Sequence, residues 1–271
     1  MSASCAHAQY PPDNRRLKPH RPPTFSEVSI VTPSPSNDAN PPLLSDGTPV
    51  AISYLRIGVA PHLPAITGRG GARNSALRES YGLSAKQLAN LRAATAHAEA
   101  IGLPFTRMVT IHWMAAGLAL HAMPKATGRF IDLLTKALAR HGSPTAWIWV
   151  HENGDSKGGH CHLLVHVPAA LVAVVMRLQK RWLRRITGQP YRARVILSKP
   201  IGGRLGLEKS NPELHAVNLT SSLFYLLKGA SDAAALQFDL QPLAAGGRVI
   251  GKRCGTSQNI GAKARRKGSM L

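Results

Sequence analysis

The chain has 271 residues, 44% of them hydrophobic, which is enough for one ordinary domain with a core plus flanking segments. Lysine and arginine total 34 against 13 aspartates and glutamates, a formal net charge of +21 that points to a polyanionic partner such as nucleic acid. No stretch is apolar enough to predict a membrane span, and three widely spaced cysteines argue against a disulfide framework, which predicts a reducing cytoplasm.

The first hundred residues divide into two predicted segments. Residues 1–50 hold ten of the twenty prolines, and such a composition cannot form a packed core, so this segment is predicted to be disordered. Residues 51–104 are predicted to form a basic loop and an accessory helix. The helix begins after Ser84, which makes a capping-box pattern with Gln87. Four apolar residues follow at helical spacing: Leu88, Leu91, Ala94 and Ala98.

Residues 105–239 are predicted to form the main domain, because strand and helix patterns alternate along them. In chain order the predicted elements are a strand (105–114), a helix (127–142), two strands joined by a turn (145–151 and 160–167), a helix (169–188), a strand (191–199) and a helix (218–230). The first six match a ferredoxin-like split β-α-β order. The predicted fold class is therefore α+β, with a central antiparallel sheet and helices packed on one face of it.

Residues 240–271 are rich in glycine, lysine and arginine and are predicted to be a flexible basic tail. Within this tail, residues 246–253 nearly spell a phosphate-binding P-loop. Arg253 stands where that motif needs a serine or threonine hydroxyl for magnesium, so no ATPase or helicase module is predicted.

Histidines occupy alternate positions in the stretch GGHCHLLVHVP. Because side chains alternate between the two faces of a strand, His160 and His162 share a face and can share a metal ion. Pairing of the strands on either side of the turn would bring Glu152 near His160 as an oxygen ligand. The pattern predicts a metal site formed by Glu152, His160 and His162.

Other residues near this stretch are weaker candidates for the site. Asp155 falls at the tip of the turn, and Cys161 points to the opposite face of the strand. His166 is predicted to be a neighbour of the site or simply exposed. A solvent-facing strand with a polar face is the alternative explanation for the histidines.

The stretch SSLFYLLKG, on a helix, places polar residues on one face: Asn218, Ser221, Ser222, Tyr225 and Lys228. Taken alone, Tyr225 would be a half-buried tyrosine with its hydroxyl in water. Beside the histidines it gains a chemical role, because a metal can polarise a phosphate and a nearby cation can stabilise a phenolate. Lys228, one turn after Tyr225, is the candidate for that cation.

A His-x-His strand with an acidic residue eight places upstream, followed by a helix with Tyr-x-x-Lys, resembles the HUH endonucleases. The order of the motifs is similar to that of the replication initiators of this superfamily, and Ser221 in place of a second tyrosine resembles the single-tyrosine members. The stretch FTRMVTIHW resembles the family's first, structural motif. The resemblance covers residues 105–230 and departs from the usual pattern at Cys161, where a bulkier apolar side chain is common.

The resemblance implies a mechanism and its partners. Glu152, His160 and His162 would hold Mg or Mn, which orients a phosphate of single-stranded DNA. Tyr225, with Lys228 beside it, would attack that phosphate and leave a 5′-phosphotyrosine link and a free 3′ hydroxyl. The implied activity is site-specific nicking and strand transfer that starts rolling-circle replication of a plasmid or phage. The implied partners are origin DNA, a host helicase and a polymerase, with no membrane.

The basic face of the helix predicted over 169–188 suits contact with DNA phosphates. The DNA-binding candidates on it are Arg177, Lys180, Arg181, Arg184 and Arg185. Three other functions stay open: a transposase with the same chemistry, a non-catalytic nucleic-acid-binding protein, and a zinc-stabilised binding module. Metal content would separate the zinc module from the others, and a covalent link to DNA would separate an enzyme from a binder.

Overall fold

The structure, a computed structural model, describes residues 78–240 and 246–268. The segment predicted to be disordered, residues 1–50, lies outside the described residues, as do residues 51–77 of the predicted basic loop. No helix in the described part of the chain is long and apolar enough to cross a membrane.

The described residues form seven strands and seven α-helices. The strands are β1 (Glu79–Ser80), β2 (Arg107–His112), β3 (Trp147–Gly154), β4 (Gly158–Val165), β5 (Ile196–Pro200), β6 (Val249–Ile250) and β7 (Cys254–Thr256). The helices are α1 (Ala85–Ala100), α2 (Met123–Ala139), α3 (Val172–Thr187), α4 (Leu207–Ser210), α5 (Pro212–Leu227), α6 (Asp232–Gln237) and α7 (Ala262–Gly268).

The central sheet has five strands in the order β5-β2-β4-β3-β7, and every neighbouring pair is antiparallel. Strands β2, β3, β4 and β5, with α2 and α3 between them, reproduce the predicted split β-α-β order. The predicted antiparallel sheet with packed helices is therefore confirmed.

Two of the predicted helices begin at clear sequence signals. The Ser84 side chain accepts a hydrogen bond from the Gln87 backbone, and the Gln87 side chain accepts one from the Ser84 backbone, which confirms the capping box of α1. Helix α5 begins at Pro212, earlier than predicted, because the Asn211 side chain caps it and proline suits the first helical position.

Helices cover both faces of the sheet, so the prediction that they lie on one face is wrong. Helices α2 and α3 pack against Trp149 and its neighbours, whereas α1 and α5 pack against Ile148 and Val150 on the opposite face. The physical reason is that β3 and β4 are apolar on both sides, and each apolar face needs a cover. Helix α1 thereby shares one core with residues of the main domain.

The structure also corrects the predicted flexible tail over residues 246–268. Strand β7 pairs with β3 at the edge of the central sheet, and β6 pairs with β1. Arg253, at the end of the P-loop-like stretch, is buried and donates hydrogen bonds to Ser80 and to the carbonyls of His151, Gly246 and Gly247. This arginine satisfies backbone carbonyls that burial would otherwise leave without partners, and so fixes the segment.

We expect Arg253→Ala to lower the free energy of unfolding by about 3 kcal/mol, because several buried carbonyls lose a charged donor. Urea unfolding followed by circular dichroism measures the change. Lys252→Ala is the matched control, since the Lys252 side chain is exposed and the group that meets His151 Nδ1 is its backbone carbonyl, which alanine keeps. Equal stability of the two variants would show that the segment is held by other contacts.

Candidate metal centre

Two neighbouring strands bring the predicted ligands together. In the β3–β4 hairpin, Glu152 stands directly opposite His160. His162 lies two residues along β4 on the same face, opposite Thr110 of β2. The three side chains point towards the face covered by α1 and α5, and their ligand atoms all lie within 4.8 Å of one another. Glu152, His160 and His162 therefore form a group that could hold a metal ion.

Hydrogen bonds orient both imidazole rings. His160 Nδ1 lies 2.7 Å from the Gly158 carbonyl oxygen, and His162 Nδ1 lies 2.9 Å from Thr110 Oγ1. The Nε2 atoms face Glu152 Oε2, at 3.3 Å from His160 and 3.4 Å from His162. Fixing one ring nitrogen by a hydrogen bond and presenting the other is the usual arrangement of metal-binding histidines.

The site is buried, which overturns the alternative of a solvent-facing strand. Glu152, His160 and His162 are each 5% exposed or less. Burial lowers the pKa of His162 to about 4, so its ring is neutral at pH 7. For Glu152, burial raises the pKa, but hydrogen bonds with His160 and His162 outweigh that effect and hold the carboxyl pKa well below its ordinary value. An ionised carboxylate beside two imidazole rings is a donor set that suits divalent metals.

One carboxylate oxygen tests the fit of a metal more directly. Glu152 Oε1 is buried and has no hydrogen-bond partner among the described residues. A buried, ionised oxygen without a donor is costly, and a coordinated cation would satisfy it. The residues present therefore fit a divalent metal.

The helix residues Tyr225 and Lys228 reach the same place from the end of α5. Lys228 Nζ donates a hydrogen bond to Glu152 Oε2 and lies 3.4 Å from His162 Nε2. The Tyr225 ring stands edge-on to the His162 ring, with 5.1 Å between their centres, and is 39% exposed. Lys228 Nζ lies 4.3 Å from the centre of the Tyr225 ring. The fold thus brings the predicted ligands, the tyrosine and the lysine into one cluster.

The electrostatics of Tyr225 differ from the simple expectation that Lys228 favours its phenolate. Burial raises the pKa of Tyr225, and the negative charge of Glu152 raises it further. Burial lowers the pKa of Lys228, although its ion pair with Glu152 opposes that effect. The ammonium of Lys228 is directed at the Glu152 carboxylate, so its charge is shared between that carboxylate and the tyrosine ring.

The remaining histidines and acids near the site take other positions. His166 Nδ1 lies 2.7 Å from the Pro104 carbonyl oxygen and is not a member of the cluster, and Asp155 is exposed in the β3–β4 turn. His112 and Thr110 are site neighbours that sequence reasoning missed. His112 stands opposite His160 across β2 and β4, with 5.6 Å between the ring centres. Thr110 and His112 alternate along β2 and so share one face of that strand. This pattern points to the site only when the pairing of β2 with β4 is known.

The basic residues of α3 are not brought to this cluster. The five DNA-binding candidates, Arg177, Lys180, Arg181, Arg184 and Arg185, are all exposed. Helix α3 buries Val175 and Trp182 against the sheet face that carries α2, which is the face opposite the metal-ligand cluster. The sheet therefore separates the basic helix from Glu152 and the two histidines.

No family model and no curated protein sequence matches this chain. Among solved structures, the chain is similar to the N-terminal nuclease domain of non-structural protein 1 of minute virus of mice, with 10% sequence identity and a TM-score of 0.26. The similarity covers 49% of this chain and 70% of that domain, which coordinates Zn²⁺ in its active-site pocket and recognises DNA at an origin of replication. A likeness of this size identifies no family, and function is inferred from the geometry of the site.

Proposed function

We propose that this protein is a metal-dependent, single-tyrosine DNA nickase and strand transferase that acts on single-stranded DNA. The observation that carries the proposal is the position of Tyr225. Its ring stands 5.1 Å from that of His162, a member of a buried cluster that also holds Glu152 and His160, and 39% of the tyrosine stays open to a substrate. A nucleophile beside a candidate metal site is the arrangement that phosphoryl transfer needs.

Glu152, His160 and His162 would hold Mg or Mn, which supplies polarisation of a DNA phosphate and neutralises charge as it develops. His160 and His162 are oriented for this by the Gly158 carbonyl and the Thr110 hydroxyl. Lys228, beside both Glu152 and Tyr225, adds a second positive charge at the same place. A divalent metal held by Glu152 would offset the carboxylate charge that raises the pKa of Tyr225.

In the proposed reaction, the Tyr225 oxygen attacks the phosphorus of a phosphodiester. The bond from phosphorus to the tyrosine oxygen forms as the bond to the 3′ oxygen breaks. The proton that the phenol releases is balanced by the proton that the 3′ oxygen takes up. The products are a 5′-phosphotyrosine link and a free 3′ hydroxyl, and attack by a second 3′ hydroxyl reverses the step and rejoins the strand.

A free 3′ hydroxyl can prime synthesis, so the proposed role is initiation of rolling-circle replication of a plasmid or phage in a bacterial cytoplasm. Origin DNA, a host helicase and a polymerase are the proposed partners. The direct test is a protein–DNA adduct that survives denaturation, forms with single-stranded DNA and Mn²⁺, and is lost in EDTA.

The exposed basic face of α3 is proposed to bind DNA phosphates away from the cluster. Replacing Arg177, Arg181 and Arg184 together by glutamine is expected to weaken DNA binding at low salt. The slope of log affinity against log salt should become shallower by roughly one for each phosphate that the variant no longer neutralises. Fluorescence anisotropy of labelled DNA over a range of salt concentrations measures this slope.

A triple variant on the neighbouring helix provides the control. Arg129 and Lys136 of α2, and Arg140 directly after it, are also exposed, and their replacement by glutamine removes the same number of positive charges. This control should leave the slope nearly unchanged, because the proposal assigns the phosphate contacts to α3 and not to α2. An equal change of the slope in both variants would mean that DNA binding depends on net charge alone and that α3 is not a specific contact surface.

A further inference from the structure

A groove opens beside Tyr225 that the chemistry described above does not use. Its volume is about 400 Å³, within the range of pockets that take small ligands. The residues that line it are Met108, Thr110, Leu197, Lys199, Asn218, Ser221, Ser222 and Tyr225. The groove thus lies between helix α5 and one edge of the sheet, which is formed by the edge strand β5 and its neighbour β2.

The strand register and the helix period together create this space. Met108 stands opposite Lys199, and Thr110 stands opposite Leu197, across the β2–β5 pair. The other wall is one face of α5, with residues at positions i, i+3, i+4 and i+7: Asn218, Ser221, Ser222 and Tyr225. Because three of these four side chains are small, the helix leaves the sheet uncovered at this edge.

The groove is continuous with the metal-ligand cluster. Tyr225 connects the two, since it lines the groove and packs its ring edge-on against His162. Thr110 also lines the groove, and its Oγ1 lies 2.9 Å from Nδ1 of His162. A chain that places one phosphate beside Tyr225 would therefore have its next nucleotide at the mouth of the groove.

The lining chemistry suits a flat, partly apolar group attached to an anion. Met108 and Leu197 offer apolar surface, and a methionine sulfur makes favourable contacts with aromatic rings. Lys199 is exposed at the rim and adds a positive charge, and the lining contains no carboxylate. Asn218 and the two serines donate hydrogen bonds to backbone carbonyls of α5, and their side-chain oxygens remain as acceptors for the edge of a base.

We propose that this groove binds one unpaired nucleobase adjacent to the phosphate that Tyr225 attacks, with Lys199 on the neighbouring phosphate. The inference rests on the proposed nickase function and names a determinant of its substrate choice. The base lies against Met108 and Leu197, and its edge faces Ser221 and Ser222. The groove therefore contributes affinity that depends on the bases, whereas the basic face of α3 contributes affinity that does not depend on them.

The experiment compares two labelled single strands of about ten nucleotides, within the span of known single-strand sites. One is oligothymidine and the other has the same backbone without bases. Affinities are measured by anisotropy in EDTA, so that no covalent step takes part. The readout is the ratio of the two affinities, which isolates the contribution of the bases.

Ser221→Phe, which fills the groove from α5, should reduce this ratio by about tenfold, since stacking contributes on that scale. Leu197→Asp is the second variant, and because Leu197 is exposed on an edge strand it should fold normally. Thr220→Phe is the matched control, as Thr220 is exposed on the same helix outside the groove.

A fall of the ratio in both groove variants, with Thr220→Phe unchanged, supports the inference. An unchanged ratio in Ser221→Phe and Leu197→Asp overturns it, whatever the wild-type protein does to DNA. The adduct assay of the wild-type protein decides the proposed function separately. If the wild-type protein forms the adduct but the groove variants keep the wild-type affinity ratio, the base-binding groove is wrong and the nickase function stands. If no adduct forms but the groove variants lower the ratio, the groove binds a base in a protein that is not a nickase.

Discussion

Tyr225→Phe is expected to abolish the covalent protein–DNA adduct. Removing the hydroxyl removes the attacking atom, and loss of a nucleophile lowers turnover at least about a thousandfold. Because Tyr225 is partly exposed at the end of α5, the ring itself can stay in place against His162. The measurement is a denaturing gel of protein incubated with labelled single-stranded DNA from its own replicon and Mn²⁺.

Tyr81→Phe is the matched control for this experiment, because Tyr81 is 67% exposed and its hydroxyl donates a hydrogen bond to Glu79, outside the metal-ligand cluster. It should form the adduct at the wild-type rate. An adduct that persists in Tyr225→Phe would place the nucleophile elsewhere. Tight DNA binding without any adduct, along the whole single strand of the replicon, would favour a non-catalytic nucleic-acid-binding protein.

Glu152→Gln should weaken Mn²⁺ binding more than about a hundredfold, beyond the loss usual for a residue that merely supports a ligand. The substitution removes the one negative charge of the cluster and leaves the imidazoles of His160 and His162 as its remaining ligands. Isothermal titration calorimetry of the metal measures the change without any DNA. The adduct should disappear in the same variant at ordinary metal concentrations, because the phosphate is no longer polarised.

Asp155→Asn is the control for the metal experiment. It removes the same charge from the turn that joins Glu152 to the two histidines, but Asp155 is exposed there and lies outside the cluster. Mn²⁺ affinity should therefore stay close to that of the wild-type protein. Equal losses in the two variants would show that the turn, rather than Glu152, holds the metal. Stoichiometric zinc that survives dialysis would instead favour a zinc-stabilised binding module.

The sequence by itself determined the features that depend on local geometry. The period of two along a strand places His160 and His162 on one face, whatever the rest of the chain does. A short turn between two strands sets the register of a hairpin, and this brought Glu152 opposite His160 as predicted. The capping box at Ser84 is likewise local, because its partners are three residues apart. The succession of strands and helices was enough to predict an antiparallel sheet.

Only the tertiary structure decided which distant segments meet. Lys228 and Glu152 are 76 residues apart, and no pattern in the sequence shows that their charges pair. The sequence predicts Arg253 to be part of a basic tail. In the fold it is buried among the backbone carbonyls of Ser80, His151 and Gly247, since polar backbone groups enclosed by the fold need a donor. The groove beside Tyr225 likewise needs both the β2–β5 register and the placement of α5. These features rest on long-range packing, in which the partner of each side chain is set by the whole fold and not by its neighbours along the chain.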